Sequence, residues 1–344
     1  MQEGKHSSIL VLIIILFAIA AFGISFHQYK INLKLQPNQY SATDSVYYVA
    51  DTIDNIPYNF KVTQVFKPNE NQVLFHSAPA FLVWIMVVLV MITVAAGSFP
   101  VFALQAWNLK KSFRFPNWQF ILLGGVSVGF VILLAIMPQI IPGYIKPIWL
   151  VEKFKVLLHN PSMIKYSVFT TLLLIIPILL VIFMTGPASD KISIDSRSRE
   201  SFETAALKLN TLLDALLTAL QVLAVIVVLA VLSSRALYES IRSVIRIENV
   251  EFPREVSYIY GLYFSLFLAI VYIPSYYYLR MRSSSLRQSL DAYLSDQPSK
   301  EDSRWPEKMA TAFTIKTTPV ESLKLALTVL APLISSLLPE GLFK

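Results

Sequence analysis

Long apolar runs separated by short polar breaks set the pattern of this chain. Six runs stand out, at residues 7–26, 78–99, 118–137, 166–184, about 211–232 and 256–279. A run of about 20 apolar residues, rising 1.5 Å per residue, matches the roughly 30 Å hydrocarbon core of a bilayer. Each run therefore predicts a transmembrane helix. The first also fits a signal peptide, with Ala21 to Gly23 as the cleavage region. Its apolar stretch exceeds the usual h-region, which favours a retained anchor over residues 1–26. Pro177 predicts a kink in the fourth run, because proline removes one helical hydrogen bond. Tyrosines at both ends of the sixth resemble the aromatic belts of the two membrane interfaces.

The pattern changes between the first two runs. Residues 27–77 are polar, and "YKINLKL" and "FKVTQVF" alternate apolar with polar positions. That period of two, punctuated by "QPNQ" and "KPNENQ", predicts a small β-rich loop outside the membrane. "KPIWLVEKFKVLL" at 146–158 sets lysines among Trp149, Phe154 and leucines, the mark of a helix lying in the interface. At the C-terminal end, Thr318 and Glu321 form a capping box, and Pro319 suits a first helical turn. The apolar stretch that follows is short, with Lys324 near one end and Pro332 inside it. Within 319–344, an interfacial or re-entrant helix fits better than a seventh crossing. The predicted fold is an all-α polytopic membrane protein with about six transmembrane helices. A small β-rich extramembrane loop and a C-terminal amphipathic or re-entrant helix complete it. Helices two to six occupy 78–279, and a basic segment 280–318 follows them.

Composition agrees: 55% of the 344 residues are hydrophobic and 15% are charged, against roughly 25% charged in ordinary soluble domains. There is no cysteine, which excludes disulfides, Cys-ligated metals and thiol nucleophiles. The formal charge of +7 suits contact with anionic lipid or an anionic ligand. An even number of crossings puts both termini on one side, and Lys and Arg are slightly more frequent in the segments of that side. The expected location is therefore the plasma (inner) membrane with cytoplasmic termini.

One helix carries an unusual line. At 100° per residue, Asn210, Asp214, Thr218, Gln221, Val225, Val228, Leu232, Arg235, Glu239, Arg242 and Arg246 fall on one stripe of the fifth run and its extensions. Lipid cannot hydrogen-bond Gln221 or Asp214, so this edge is expected to face protein or water. Several copies around an axis would line a conduit with polar mouths and a constriction at Val225, Val228 and Leu232, able to gate by dewetting. The competing reading makes Asn210, Thr218 and Gln221 polar glue between helices and puts Asp214 near the membrane interface. Arg235, Glu239 and Arg242 equally suit local helical ion pairs.

Gly125 and Gly129 form a GxxxG pair in the third run, which predicts close helix packing within the chain or between copies. Arg235, Arg242, Arg246, Arg280, Arg282 and Arg287 cluster just outside the fifth and sixth runs. They fit either a dock for a lipid headgroup, nucleotide or oligonucleotide, or the ordinary topology signal of basic loops. No P-loop, HExxH, GxSxG or GxGxxG motif is present, and four scattered histidines suggest no metal site. No cofactor and no enzymatic activity are expected. Runs one to four and six contain no carboxylate, which argues against a proton- or sodium-coupled pump. The expected function is an oligomeric channel or pore-forming effector, gated by an anionic ligand in a setting such as bacterial defence. A non-conducting scaffold or accessory subunit is one alternative, and a facilitated transporter is another.

Overall fold

A computed structural model describes residues 15–16, 18–21, 23, 46–53, 56–63, 79–140, 162–194, 198–247, 255–296, 304–315 and 319–336. The predicted interfacial helix at 146–158 and most of the first apolar run lie outside the described residues. Five of the described helices are long and apolar enough to cross a membrane. They belong to an α-helical, multi-pass membrane protein.

The helices are α1 (Pro79–Ser112), α2 (Asn117–Ile140), α3 (Ser162–Leu174), α4 (Ile176–Asp190), α5 (Arg199–Val244), α6 (Glu255–Asp296), α7 (Arg304–Ala312) and α8 (Pro319–Ser336). α3 and α4 are one apolar passage broken at Ile175, with Pro177 in the first turn of α4. Proline has no N–H to donate back toward Leu173, so the break lies where the sequence places the kink. α4 is the centre of the bundle, packed against α1, α2, α5 and α6. Its Ile178, Leu179, Val181, Ile182 and Met184 are fully buried. α2 stands at the edge, touching α3 and α4, while α5 lies between α1, α4, α6 and α8.

Two helices are far longer than a bilayer needs. α5 has 46 residues and α6 has 42, or roughly 69 Å and 63 Å at 1.5 Å per residue. Their overhangs meet beyond one end of the bundle. There Phe202 of α5 packs against Tyr293 of α6, Trp305 of α7 and Phe313. Trp305 Nε1 donates to Glu203 Oε1 at 2.8 Å, and Glu203 also pairs with Arg199 at 3.2 Å. This aromatic knot makes a small helical head in which Trp305, Met309 and Phe313 are buried.

α8 runs lengthwise along the bundle. Near its start, the Ser283 hydroxyl donates to the carbonyl of Phe313. At its far end, Ser336 lies against Gly261, 22 residues back along α6. A Cβ at Gly261 would stand 2.9 Å from the carbonyl oxygen of Pro332, so the close approach of α6 and α8 requires glycine there. Arg235 of α5 fixes the same end, donating from Nη1 to the carbonyl of Ser336 at 3.1 Å.

A three-stranded antiparallel sheet completes the described backbone. β1 (Val46–Ile53) pairs with β2 (Ile56–Thr63), and β2 pairs with β3 (Ile245–Ile247). β3 continues directly from α5, with Arg246 opposite Lys61. Most of the loop 27–77 lies outside the described residues.

Candidate conduit face

The two sides of α5 differ in chemistry and in surroundings. One side carries Leu209, Leu212, Ala215, Leu216, Ala219, Leu220, Leu223 and Val227, all buried in the bundle core. The other carries Asn210, Asp214, Thr218, Gln221 and Val225, all exposed on the outside of the protomer. Val228 and Leu232, further along this stripe, are half-buried, and Arg235 is buried. The line therefore begins on the open surface and runs under cover where the end of α8 reaches α5.

None of the four polar side chains is satisfied by another described residue. Among the described residues, Asn210, Asp214, Thr218 and Gln221 make no side-chain hydrogen bond or ion pair. By contrast, hydroxyls elsewhere in the apolar helices bond the preceding turn, as Thr93 does to Leu89, Ser127 to Leu123 and Thr185 to Ile182. Ser275 reaches across helices to the carbonyl of Ile182 at 3.1 Å. Among the described residues, polar links between helices are made by Ser275 and, at the far end of the α5 stripe, by Arg235, whereas Asn210, Asp214, Thr218 and Gln221 make none. From Asn210 to Gln221 is about 16 Å along the helix axis, roughly half the thickness of a hydrocarbon core.

Gly125 and Gly129 also face outward. A Cβ at either would meet nothing within 4 Å, and α2 exposes Ile121, Leu122, Val126 and Ile132 around them. The pair makes an open, shallow strip on the edge helix and packs against none of the described residues.

The arginines separate into different roles. Arg235 is 7% exposed and holds the C-terminal end of α8. Arg282 donates to the carbonyl of Ile192, tying α6 to the end of α4. Arg287 Nη1 donates to Thr314 Oγ1 at 3.0 Å, anchoring the stretch after α7. Arg280 is exposed, and its guanidinium makes no hydrogen bond or ion pair among the described residues. The side chains of Arg242 and Arg246 lie outside the described residues. Among the described side chains, Arg235 thus lies at the opposite end of the bundle from Arg280, Arg282 and Arg287, which share one region.

Further basic groups gather at the end that carries the head. Lys191 Nζ sits 3.9 Å over the Phe115 ring and donates to the carbonyl of Arg114 at 3.3 Å. Lys110 lies over Trp107 and Phe120. Sequence reasoning missed the Glu203–Trp305 contact and the Gly261 seat. A lone Trp in a polar segment and a lone Gly amid tyrosines in an apolar run were the available signals. No group of residues able to hold a metal ion occurs among the described residues. No protein-family model matches this chain, and neither a curated protein nor a solved structure is significantly similar to it.

Proposed function

We propose that this protein is a homo-oligomeric membrane channel whose conduit is lined by the outward face of α5. One observation carries the reading: the polar line Asn210–Asp214–Thr218–Gln221 is exposed on the outside of the protomer, without side-chain partners among the described residues, and it runs into the apolar part of α5. Hydrocarbon offers these groups no hydrogen bond, and leaving an amide or carboxylate dry costs several kcal/mol, on the order of 2–7 for a neutral group. Water along an axis shared by several copies removes that penalty. A ring of heterologous contacts turns each α5 inward once. Val225, Val228 and Leu232 then form the apolar belt where the column of water breaks in the closed state.

The remaining surfaces suit the same assembly. α2, separated from α5 by α4, offers its Gly125–Gly129 strip as a lateral contact between neighbouring copies. The first apolar run supplies a sixth crossing, and α8 packs along α6 and α5 as the C-terminal amphipathic or re-entrant helix. The basic head end, with Lys110, Lys111, Arg114 and Lys191, faces the cytoplasm under the positive-inside rule. A trigger acting on the head would pull directly on α5, because the head is built from the overhang of that helix.

Planar-bilayer recording of the purified protein tests the proposal. Wild type should conduct, Gln221→Leu should reduce single-channel conductance, and Val228→Ser should raise the leak of the closed state. Absence of any conductance, or wild-type behaviour from both variants, overturns it.

A further inference from the structure

The exposed face of α6 changes character along its length. Leu262, Leu266, Ile270, Ile273 and Tyr277 fall on one stripe and are all open to the outside. From Leu262 to Tyr277 is about 22 Å, more than the roughly 15 Å of hydrocarbon in one leaflet. The same stripe then continues as Arg280, Met281, Ser284 and Gln288. Here Tyr277, Arg280, Met281, Ser284, Ser285 and Gln288 line a recess of about 320 Å³. An apolar wall therefore ends on a polar, positively charged recess at the level where α6 leaves the bundle.

The groups of this recess are chosen by their availability. Arg282 and Arg287, its neighbours in sequence, are committed to Ile192 and Thr314. Arg280 has no such partner among the described residues, nor have the side chains of Ser285 and Gln288. The Ser284 hydroxyl donates to the carbonyl of Arg280 at 3.2 Å and keeps its acceptor lone pairs. No carboxylate among the described residues lines the recess. Asp291, on the same stripe, stands about 16 Å further along the helix than Arg280. A guanidinium fork, a free hydroxyl and a free amide are donors matched to phosphate oxygens. Tyr277 and Met281 supply the amphipathic rim between that phosphate and the apolar wall.

We propose that this recess binds the phosphate of an anionic phospholipid, with the acyl chains laid along Leu262 to Ile273. Charge complementarity selects an anionic headgroup over a zwitterionic one, whose ammonium would meet Arg280. Continuity of the recess with the apolar stripe selects a lipid over a soluble phosphate. The site is independent of the conduit, because it lies on α6 and needs no conduction.

Native mass spectrometry of the purified full-length protein tests this. The protein is equilibrated with phosphatidylglycerol or phosphatidylcholine of matched acyl chains, in the presence and absence of inorganic phosphate. Wild type should retain phosphatidylglycerol with a preference of about tenfold, as expected for a charge-assisted contact. Arg280→Gln should bring the two lipids within about twofold, with an unchanged melting temperature because Arg280 is exposed. Arg304→Gln, an exposed cation on α7, should keep the preference. Equal preference in wild type and Arg280→Gln overturns the proposal. So does displacement of the lipid by inorganic phosphate, which would make the recess a soluble-anion site.

Discussion

α5 and α6 are both overlong helices, and both turn one face away from the bundle, but the two faces meet different surroundings. On α6 the outward line is Leu262, Leu266, Ile270 and Ile273, and polarity begins only at Tyr277 and Arg280, where the apolar run ends. On α5 the outward line is polar as far as Gln221, inside the apolar run, and becomes apolar only beyond it. Exposure is the same and chemistry is opposite. A face that meets lipid needs no hydrogen-bonding groups and loses stability by having them. The α6 face obeys that requirement and the α5 face breaks it, which is why the proposed channel turns α5 toward water.

Exchanging the two chemistries breaks the comparison most severely. Leu266→Asp puts a carboxylate on the lipid-facing side of α6, where insertion costs about 3 kcal/mol. The variant should lose most of its folded yield in membranes, measured by detergent-resistant fluorescence or proteolysis. Asp214→Leu makes the opposite change on α5 and should leave folded yield at the wild-type level while lowering cation conductance. An equal loss of yield from both changes would mean that the two faces share one environment.

A second pair concerns how α8 is seated across both helices. Gly261→Val drives a branched side chain into Pro332 and Ser336 and should destabilise by about 1–3 kcal/mol, read as a lower melting temperature. Arg235→Leu leaves the carbonyl of Ser336 without its donor and should cost about 1–3 kcal/mol. Hydrogen exchange should show lost protection at the C-terminal end of α8 in both, and α4 should stay protected. The smallest effect belongs to Trp305→Phe. It removes the bond to Glu203 but keeps the aromatic knot, so a small fall in melting temperature is expected with conductance unchanged.

Five of the six expected crossings were legible because bilayer thickness imposes a length on apolar runs, and the break beside Pro177 was legible because proline lacks a donor. The stripe on α5 was legible as a periodicity. Which way it pointed was not, since burial of Leu212, Leu216 and Leu223 depends on where α1, α4 and α6 lie. The arginines were legible only as a charge cluster. That Arg235 caps α8 while Arg280 stays uncommitted follows from contacts made 101 residues apart in sequence in the first case. The lengthwise course of α8 was hidden for a similar reason. A short apolar stretch with an internal proline does not show which helix it packs on, and Gly261, which leaves room for it, lies about 60 residues earlier in the chain.

Because the chain has no cysteine, single cysteines give a clean readout of what each face meets. Gln221→Cys on α5 and Leu266→Cys on α6 can each be treated with a membrane-impermeant methanethiosulfonate in reconstituted vesicles. The account predicts rapid modification at Gln221→Cys, accompanied by block of the current, and none at Leu266→Cys. Equal protection of both positions, or modification at Leu266→Cys alone, would contradict it.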